Sequence, residues 1–372
     1  MKILFISAFP PNRLTAGQNY SRQLLNDLSK EHDVDLVYWS YPNHKIDISP
    51  KVKILKEFNV KKNHYFSCLG ERCLFPLFTK RYSKSVKDYL RSEAGKYDLL
   101  YFDFSQVFIY STEIDHPLKI GMSHDVIGQK FSRLKLFRLL IPWVRYSEKI
   151  CLSSFKEVLT FSKKDSAYIE SHYGINSLPV PFYIDSGISG IDLDRVTLKD
   201  YFVMYGAWNR RENQESIKWL LKQDQQLPYP VKIIGGSMPE ELQAKIKSNS
   251  SIEYIGFVDN PYPIIAQAKG LIAPLFHGAG VKVKVIESLS LGTPVMGTDI
   301  TFEGIDNINY CKDKNALINI SSLNFYEAIS QLFSLSVRDK KYIQESFIKN
   351  YNSTKFMDHL REYGIMCDNK LI

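Results

Sequence analysis

Short apolar runs alternate with amphipathic stretches along most of the chain. In the first half, residues 2–7, 34–39, 99–102, 119–122 and 157–161 have the length and near-continuous hydrophobicity of strands buried on both faces of a parallel sheet. A helix is predicted over residues 20–28, after a loop containing Pro10, Pro11 and Gly17. The rhythm stops at about residues 180–200, where Pro179, Pro181, Gly187, Gly190 and several aspartates interrupt any regular pattern, and this segment reads as an interdomain linker. It resumes with strands at 201–205, 231–234, 252–255, 270–274 and 294–297, and with helices at 212–221, 240–247, 261–268 and 281–291. A last helical stretch at 353–363 has no strand after it.

The pattern predicts an α/β protein of two doubly wound domains. Residues 1–185 form the first domain and 186–350 the second, and 351–372 form a C-terminal helix that can cross back to the first. A chain of 372 residues exceeds what a single core usually supports, which agrees with that division. In such folds ligands lie at the carboxyl ends of the strands, here expected in a cleft between the domains.

Composition narrows the picture. Hydrophobic residues at 44% and charged residues at 24% are those of a soluble globular protein, and no apolar run is long enough to predict a spanning helix. The start, Met1 to Ser7, reads as a first buried strand rather than a signal peptide, because Pro10, Pro11, Asn12 and Arg13 follow without a cleavage site. The five cysteines, Cys68, Cys73, Cys151, Cys311 and Cys367, are scattered without metal-type spacing, so a reducing cytoplasm is expected. The net charge of +8 is uneven: residues 1–180 hold 27 Lys and Arg against 18 Asp and Glu, and the remainder 21 against 22. A basic half suggests an anionic partner, whether a membrane surface, a phosphorylated lipid or nucleic acid, or simply a solvated basic face. No nucleic-acid recognition module accompanies the charge.

The chemistry is concentrated between Ala273 and Val295. A strand ends at Pro274, a loop with Gly278 and Gly280 lets backbone approach a ligand, and a helix is predicted to begin near Val281. A glycine-rich loop feeding a helix N-terminus is an anion site, because the first N–H groups are unpaired and the dipole is positive there. Lys282 and Lys284 add formal charge. Lys284 and Glu287 are three apart and share a face, so Lys284 is preferred for a diphosphate, and Glu287 is placed to accept hydrogen bonds from the two hydroxyls of a ribose. Asp192-Leu193-Asp194 has the spacing of a metal-binding pair but stands alone in the linker and reads as a solvated turn. No phosphate loop, HExxH or serine elbow occurs.

This stretch, with its closing Gly292-Thr293-Pro294-Val295, resembles the C-terminal signature of group 1 glycosyltransferases, family GT4. Gly17, Ser123-His124-Asp125, Leu159-Thr160-Phe161-Ser162, and Tyr205-Gly206-Ala207-Trp208 followed by Asn213 fall where that family has comparable features. The resemblance implies a GT-B fold, two Rossmann-like domains facing a central cleft that closes by hinge motion. It also implies glycosyl transfer from a nucleotide-diphosphate sugar to a glycan or lipid-linked acceptor, with retention and without a required metal or other cofactor. The implied donor-binding set is Gly17, Gly206, Arg210, Val258, Gly280, Val281, Lys282, Lys284 and Glu287, with Val258 meeting the base through its backbone. The implied catalytic set is His124, Asp125 and Lys284: His124 donates a hydrogen bond to the transferring sugar or steadies developing charge, and Asp125 either orients the imidazole or caps the helix that follows. One departure is plain, since Ala279 stands where the family often has a glutamate touching the donor sugar.

Alternatives within the same fold are an epimerase or phosphorylase, and a catalytically inactive sugar-nucleotide-binding or scaffold protein. The expected setting is synthesis of surface polysaccharide, lipopolysaccharide or glycolipid in the cytoplasm. Attachment to the inner face of the cytoplasmic membrane is a further expectation. It rests on residues 130–149, where Lys130, Arg133, Lys135, Arg138, Arg145 and Lys149 interleave with Phe131, Leu134, Leu136, Phe137, Leu139, Leu140 and Trp143. A helix interrupted near Pro142 could instead bury Leu136, Leu139 and Leu140 against the domain's own sheet.

Overall fold

The computed structural model describes residues 1–60, 73–223, 229–305, 316–320, 325–332 and 335–362. The chain forms two compact units, Met1–Phe182 together with the chain from Phe356 onward, and Tyr183–Lys355. Cys68, Cys311 and Cys367 lie outside the described residues, as does part of the basic stretch between Lys51 and Lys96. Of the described cysteines, Cys73 is exposed and Cys151 buried.

The first unit is built on one parallel sheet of β1 (Lys2–Ser7), β2 (Asp33–Ser40), β3 (Lys53–Asn59), β4 (Leu99–Asp103), β5 (Lys119–Ser123), β6 (Glu157–Thr160) and β7 (Leu178–Pro179). Their order is β3-β2-β1-β4-β5-β6-β7. β1 lies near the middle and is apolar on both faces, with Ile3, Leu4, Phe5 and Ile6 wholly buried. The order reverses between β1 and β4, whose last residues, Ser7 and Asp103, stand side by side in register. Such a reversal opens a crevice at the carboxyl edge of a parallel sheet.

The second unit repeats the plan with β8 (Phe202–Tyr205), β9 (Val231–Ile234), β10 (Ile252–Gly256), β11 (Gly270–Ala273), β12 (Val295–Gly297) and β13 (Leu317–Asn319), in the order β10-β9-β8-β11-β12-β13. Here the reversal falls between β8 and β11, which pair directly.

The apolar runs mark the central strands to within a residue or two. The pattern missed β3, β7 and β13. The seven residues of β3 are at most half-buried along their whole length, and β7 is only two residues long, so neither edge strand carries the hydrophobic run that identifies a buried one. The first helix begins four residues earlier than expected, at Ala16, because Thr15 accepts a hydrogen bond from the Gln18 amide and caps it.

The presumed linker is also more ordered than its prolines and glycines suggest. Asp185 caps a short helix, Ser186–Ser189, and Asp192 caps a turn at Leu193–Arg195 by accepting from the Asp194 amide. Ile188 and Leu193 are buried, Gln344 donates to the Ile191 carbonyl, and Lys341 pairs with Asp194, so this stretch is part of the second unit. The last described helix, Ser353–Glu362, sets Phe356 against Tyr20 and pairs Arg361 with Glu31 at 2.9 Å.

Pro142 does not interrupt a helix. It sits in the first turn of Ile141–Leu152, where a missing N–H costs nothing. From that helix the buried Glu148 reaches the start of its neighbour, Ile127–Ser132, which has no side-chain cap of its own. Glu148 accepts from the Ile127 and Gly128 amides, both at 2.7 Å, and from the Tyr173 hydroxyl at 2.6 Å. Burial pushes its carboxyl up to about 7 despite those three donors.

Removing Glu148 strands two amides and a hydroxyl, so Glu148→Ala should lose about 3 kcal/mol in thermal or denaturant unfolding. Because the folded-state pKa of Glu148 is raised, its proton linkage stabilises the fold fully below the unfolded value near 4.5 and is lost as pH rises through about 7. The stability of wild type relative to Glu148→Gln should therefore fall across that window, and a flat difference would contradict the assignment.

Candidate functional site

In a parallel sheet every strand delivers its last residue to the same edge, and in both units the polar groups gather there. In the second unit the loops after β8 and β11 flank the strand-order reversal. The helix after β11 begins at Val283, two residues later than the sequence pattern suggests, with Lys282 as its N-cap. Gly280 takes a left-handed φ of 69° and Gly278 one of 132°, backbone that only glycine adopts readily. Gly280 and Val281 thus belong to the turn rather than to the helix. Lys282 folds back to donate to the carbonyls of Ala279 at 3.2 Å and Gly280 at 2.6 Å, closing that turn.

Lys284 and Glu287 lie on this helix with their partners on different elements. Lys284 Nζ donates to Asn213 Oδ1 at 2.7 Å, across the sheet reversal. Asn213 is fixed in turn by donating to the Ala207 carbonyl at 2.8 Å. A Cβ on Gly206 would stand 3.0 Å from Asn213 Nδ2 and 3.1 Å from Lys284 Nζ and so would crowd this pair. Burial, and then the nearby cations Arg210 and Lys282, lower the Lys284 ammonium to about 8, against the opposing pull of Glu212 and Glu287. Arg210 is exposed at the start of the helix Arg211–Leu220, and Arg211 turns away to pair with Glu215.

Glu287 is almost wholly buried and accepts from the Tyr262 hydroxyl at 3.3 Å. Burial pushes its carboxyl up to about 8, with Asp185 adding to the rise and Lys284 opposing it. The charge of Glu287 raises Tyr205 well above the usual phenol range, and burial raises Tyr262. No motif marks Asp185 or Tyr262, and Tyr205 enters the sequence reading only through the run Tyr205-Gly206-Ala207-Trp208. Val258 follows β10 at the same carboxyl edge, half-buried, and Phe257 beside it is 59% exposed.

The first unit places a second polar cluster at its own reversal. His124 follows β5, and its Nε2 lies 2.7 Å from Asp103 Oδ1. Asp103 is completely buried, and its other oxygen accepts from Ser21 at 2.5 Å and from Ser7 at 3.3 Å. The imidazole stacks on Phe104 at 3.7 Å and meets Tyr20 and Phe161 edge-on. Phe104 holds that position with a φ of 74°, strained for a bulky residue.

The orienting role foreseen for Asp125 belongs to Asp103. Asp125 neither touches the imidazole nor caps the next helix, whose N-cap is Val126, but pairs with Lys130 at 3.4 Å. The apolar run ends at Phe102, whereas the strand itself continues through Asp103. Gly17 lies in the first turn of the helix Ala16–Glu31, where a Cβ would be 2.9 Å from the Phe104 ring and 3.4 Å from His124 Nδ1.

Residues 199–334, the segment that carries Lys284 and Glu287, match the family model described as Glycosyl transferases group 1. No curated protein matches the chain. Among solved structures, sucrose-phosphate synthase from Thermosynechococcus elongatus is similar with a TM-score of 0.69 at 14% identity, covering 98% of this chain and 99% of that one. Anabaena HepE in complex with UDP and glucose gives 0.69 at 12%, covering 99% and 100%. WaaG, a glycosyltransferase involved in lipopolysaccharide biosynthesis, gives 0.62 at 13%, covering 99% and 100%. At these identities the likeness is one of fold: two Rossmann-like α/β domains of the kind found in GT-B glycosyltransferases.

The loops after β8 and β9 meet at a point that admits no side chain. Gly235 has a φ of 128°, and a Cβ there would stand 1.8 Å from the Gly206 carbonyl oxygen and 3.0 Å from Trp208 Nε1. Gly235→Ala should cost on the order of 3 kcal/mol and change the Trp208 fluorescence. Unaltered stability and emission would show that the two loops are not locked together.

Proposed function

We propose that the protein transfers a glycosyl group from a nucleoside-diphosphate sugar to a glycan or lipid-linked acceptor, with retention at the anomeric carbon, in the synthesis of a surface polysaccharide, lipopolysaccharide or glycolipid. The observation that carries this reading is the placement of Lys284 and Glu287 on one helix at the strand-order reversal, within the segment that matches the family model. Lys284, Arg210 and the amides of the turn through Gly280 and Val281 receive the diphosphate and stabilise its charge as the glycosidic bond breaks. Glu287 receives the ribose hydroxyls. Gly206 leaves room for the phosphates beside Lys284, and the backbone at Val258 meets the base. That supply of positive charge lets the reaction proceed without a metal or another cofactor. Structures of HepE with UDP and glucose, and of TarM with UDP, make UDP the first nucleotide to test.

Among the described residues no helix is long and apolar enough to cross a membrane. The basic segment 130–149 nevertheless supports contact with an anionic membrane face. Leu139 is 94% exposed beside the exposed Arg138, and Leu140 and Tyr146 are partly open to solvent. Trp143 and Phe131 do not serve as interfacial anchors. Both pack on Phe75, and the Trp143 indole donates to the Cys73 carbonyl. The side chains of Lys135, Leu136 and Phe137 lie outside the described residues.

Lys284→Ala and Glu287→Ala should each weaken UDP binding at least about tenfold, or about 1.4 kcal/mol, in calorimetry, with circular dichroism unchanged. The free protein loses the Lys284 charge and gains the Glu287 charge as pH rises through about 8, and both changes oppose an anion. UDP affinity should therefore fall above that pH in wild type and vary less in Lys284→Ala. Wild-type affinity in both variants would remove the site. An inactive sugar-nucleotide-binding protein would bind the donor yet neither transfer nor hydrolyse the sugar.

The membrane reading predicts co-sedimentation with anionic vesicles at low salt that weakens at high salt, and loss of binding in Arg138→Glu combined with Leu139→Glu. Absence of binding at low salt would favour a soluble acceptor.

A further inference from the structure

We infer that Tyr262 is a positioning residue that holds the Glu287 carboxylate for the two ribose hydroxyls of the donor and so makes the site select ribose over 2′-deoxyribose; this rests on the glycosyl-transfer reading.

All the groups concerned lie in the second unit. Among the described residues the Tyr262 hydroxyl is the one donor that reaches Glu287, at 3.3 Å from Oε1. Lys284, a turn earlier on the same helix, gives its ammonium to Asn213 instead. Asp185 opposes a negative charge on Glu287, so the carboxylate gains nothing by turning toward it. Both Tyr262 and Glu287 are more than nine-tenths buried.

Tyr262 is itself fixed. It opens the helix Tyr262–Gln267, with its amide donating to Asn260 Oδ1 at 3.3 Å. That helix is tied to the turn after the Glu287 helix, because the Thr293 hydroxyl donates to the Ile265 carbonyl at 2.9 Å. The ring packs over Gly187, where a Cβ would stand 3.6 Å from it, and Gly187 is held by donating to Asp185 at 2.9 Å. The phenol therefore marks a fixed point to which the longer, more flexible glutamate side chain is pinned.

A ribose presents two neighbouring hydroxyls that must find acceptors together. An ionised carboxylate has about four acceptor sites on its two oxygens. One phenol takes one of them, which leaves capacity for both hydroxyls and removes side-chain freedom that binding would otherwise have to freeze. A 2′-deoxyribose leaves one of those buried acceptors unpaired, the mismatch that a hydrogen-bonding site rejects most strongly.

The test is calorimetry with UDP, ADP, GDP and CDP and with the 2′-deoxy form of each. For every nucleotide that binds, wild type should hold the ribose form at least about tenfold more tightly than the deoxy form. Tyr262→Phe keeps the ring over Gly187, and with circular dichroism unchanged it should bind the deoxy form as wild type does while its preference for ribose falls severalfold. In a Glu287→Gln background the same substitution should leave the remaining preference where it is. A wild-type preference retained in folded Tyr262→Phe, or an equal further loss in the Glu287→Gln background, defeats the positioning role alone. Equal wild-type affinity for the two forms overturns the proposal without any variant, whereas a wild type that binds none of the four nucleotides defeats the glycosyl-transfer reading beneath it.

Discussion

A strand in a parallel sheet must hand its chain to a crossover helix at the same edge as every other strand, and where the strand order reverses, adjacent crossovers leave on opposite faces and cannot cover that edge. In the first unit the reversal lies between β1 and β4 and brings Ser7 and Asp103 together beside the end of β5, from which His124 emerges. In the second it lies between β8 and β11 and brings the loop at Gly206 to the helix of Lys284 and Glu287. Neither cluster is close in sequence, and both depend on this one topological constraint.

Ionisable groups at these edges are withdrawn from water, and each is compensated differently. Glu148 is met by two helix amides and a phenol, and Asp103 by an imidazole and two hydroxyls. Lys284 and Glu287 are less well served, each having one side-chain partner among the described residues, and burial shifts both to about 8. A buried ammonium and carboxyl with spare hydrogen-bonding capacity suit a ligand that carries both charge and hydroxyls. Next to them stand Phe104, at a left-handed φ over His124, and Gly235, packed against the Gly206 carbonyl.

Ala279 leaves the turn after β11 without the carboxylate that the family resemblance suggests there. Lys282 instead ties the turn to itself through the carbonyls of Ala279 and Gly280. Burial and then the cations Arg210 and Lys282 depress Lys284 beside this turn.

The central strands were legible because a strand buried on both faces must be apolar along most of its length, and the residues of β1, β4, β8 and β11 satisfy that rule locally. The glycine turn and the Lys284–Glu287 spacing were legible for the same reason, since helical periodicity puts residues three apart on one face. The edge strand β3 was not, because half-exposed residues carry no hydrophobic signature, and the helix start at Val283 was set by backbone turning at Gly278 and Gly280 rather than by side-chain pattern. Only tertiary structure could decide the partners. Asp125 adjoins His124 in sequence, yet the imidazole takes Asp103, 21 residues earlier, because parallel pairing of β4 with β5 sets their carboxyl ends side by side while the chain turns Asp125 toward Lys130.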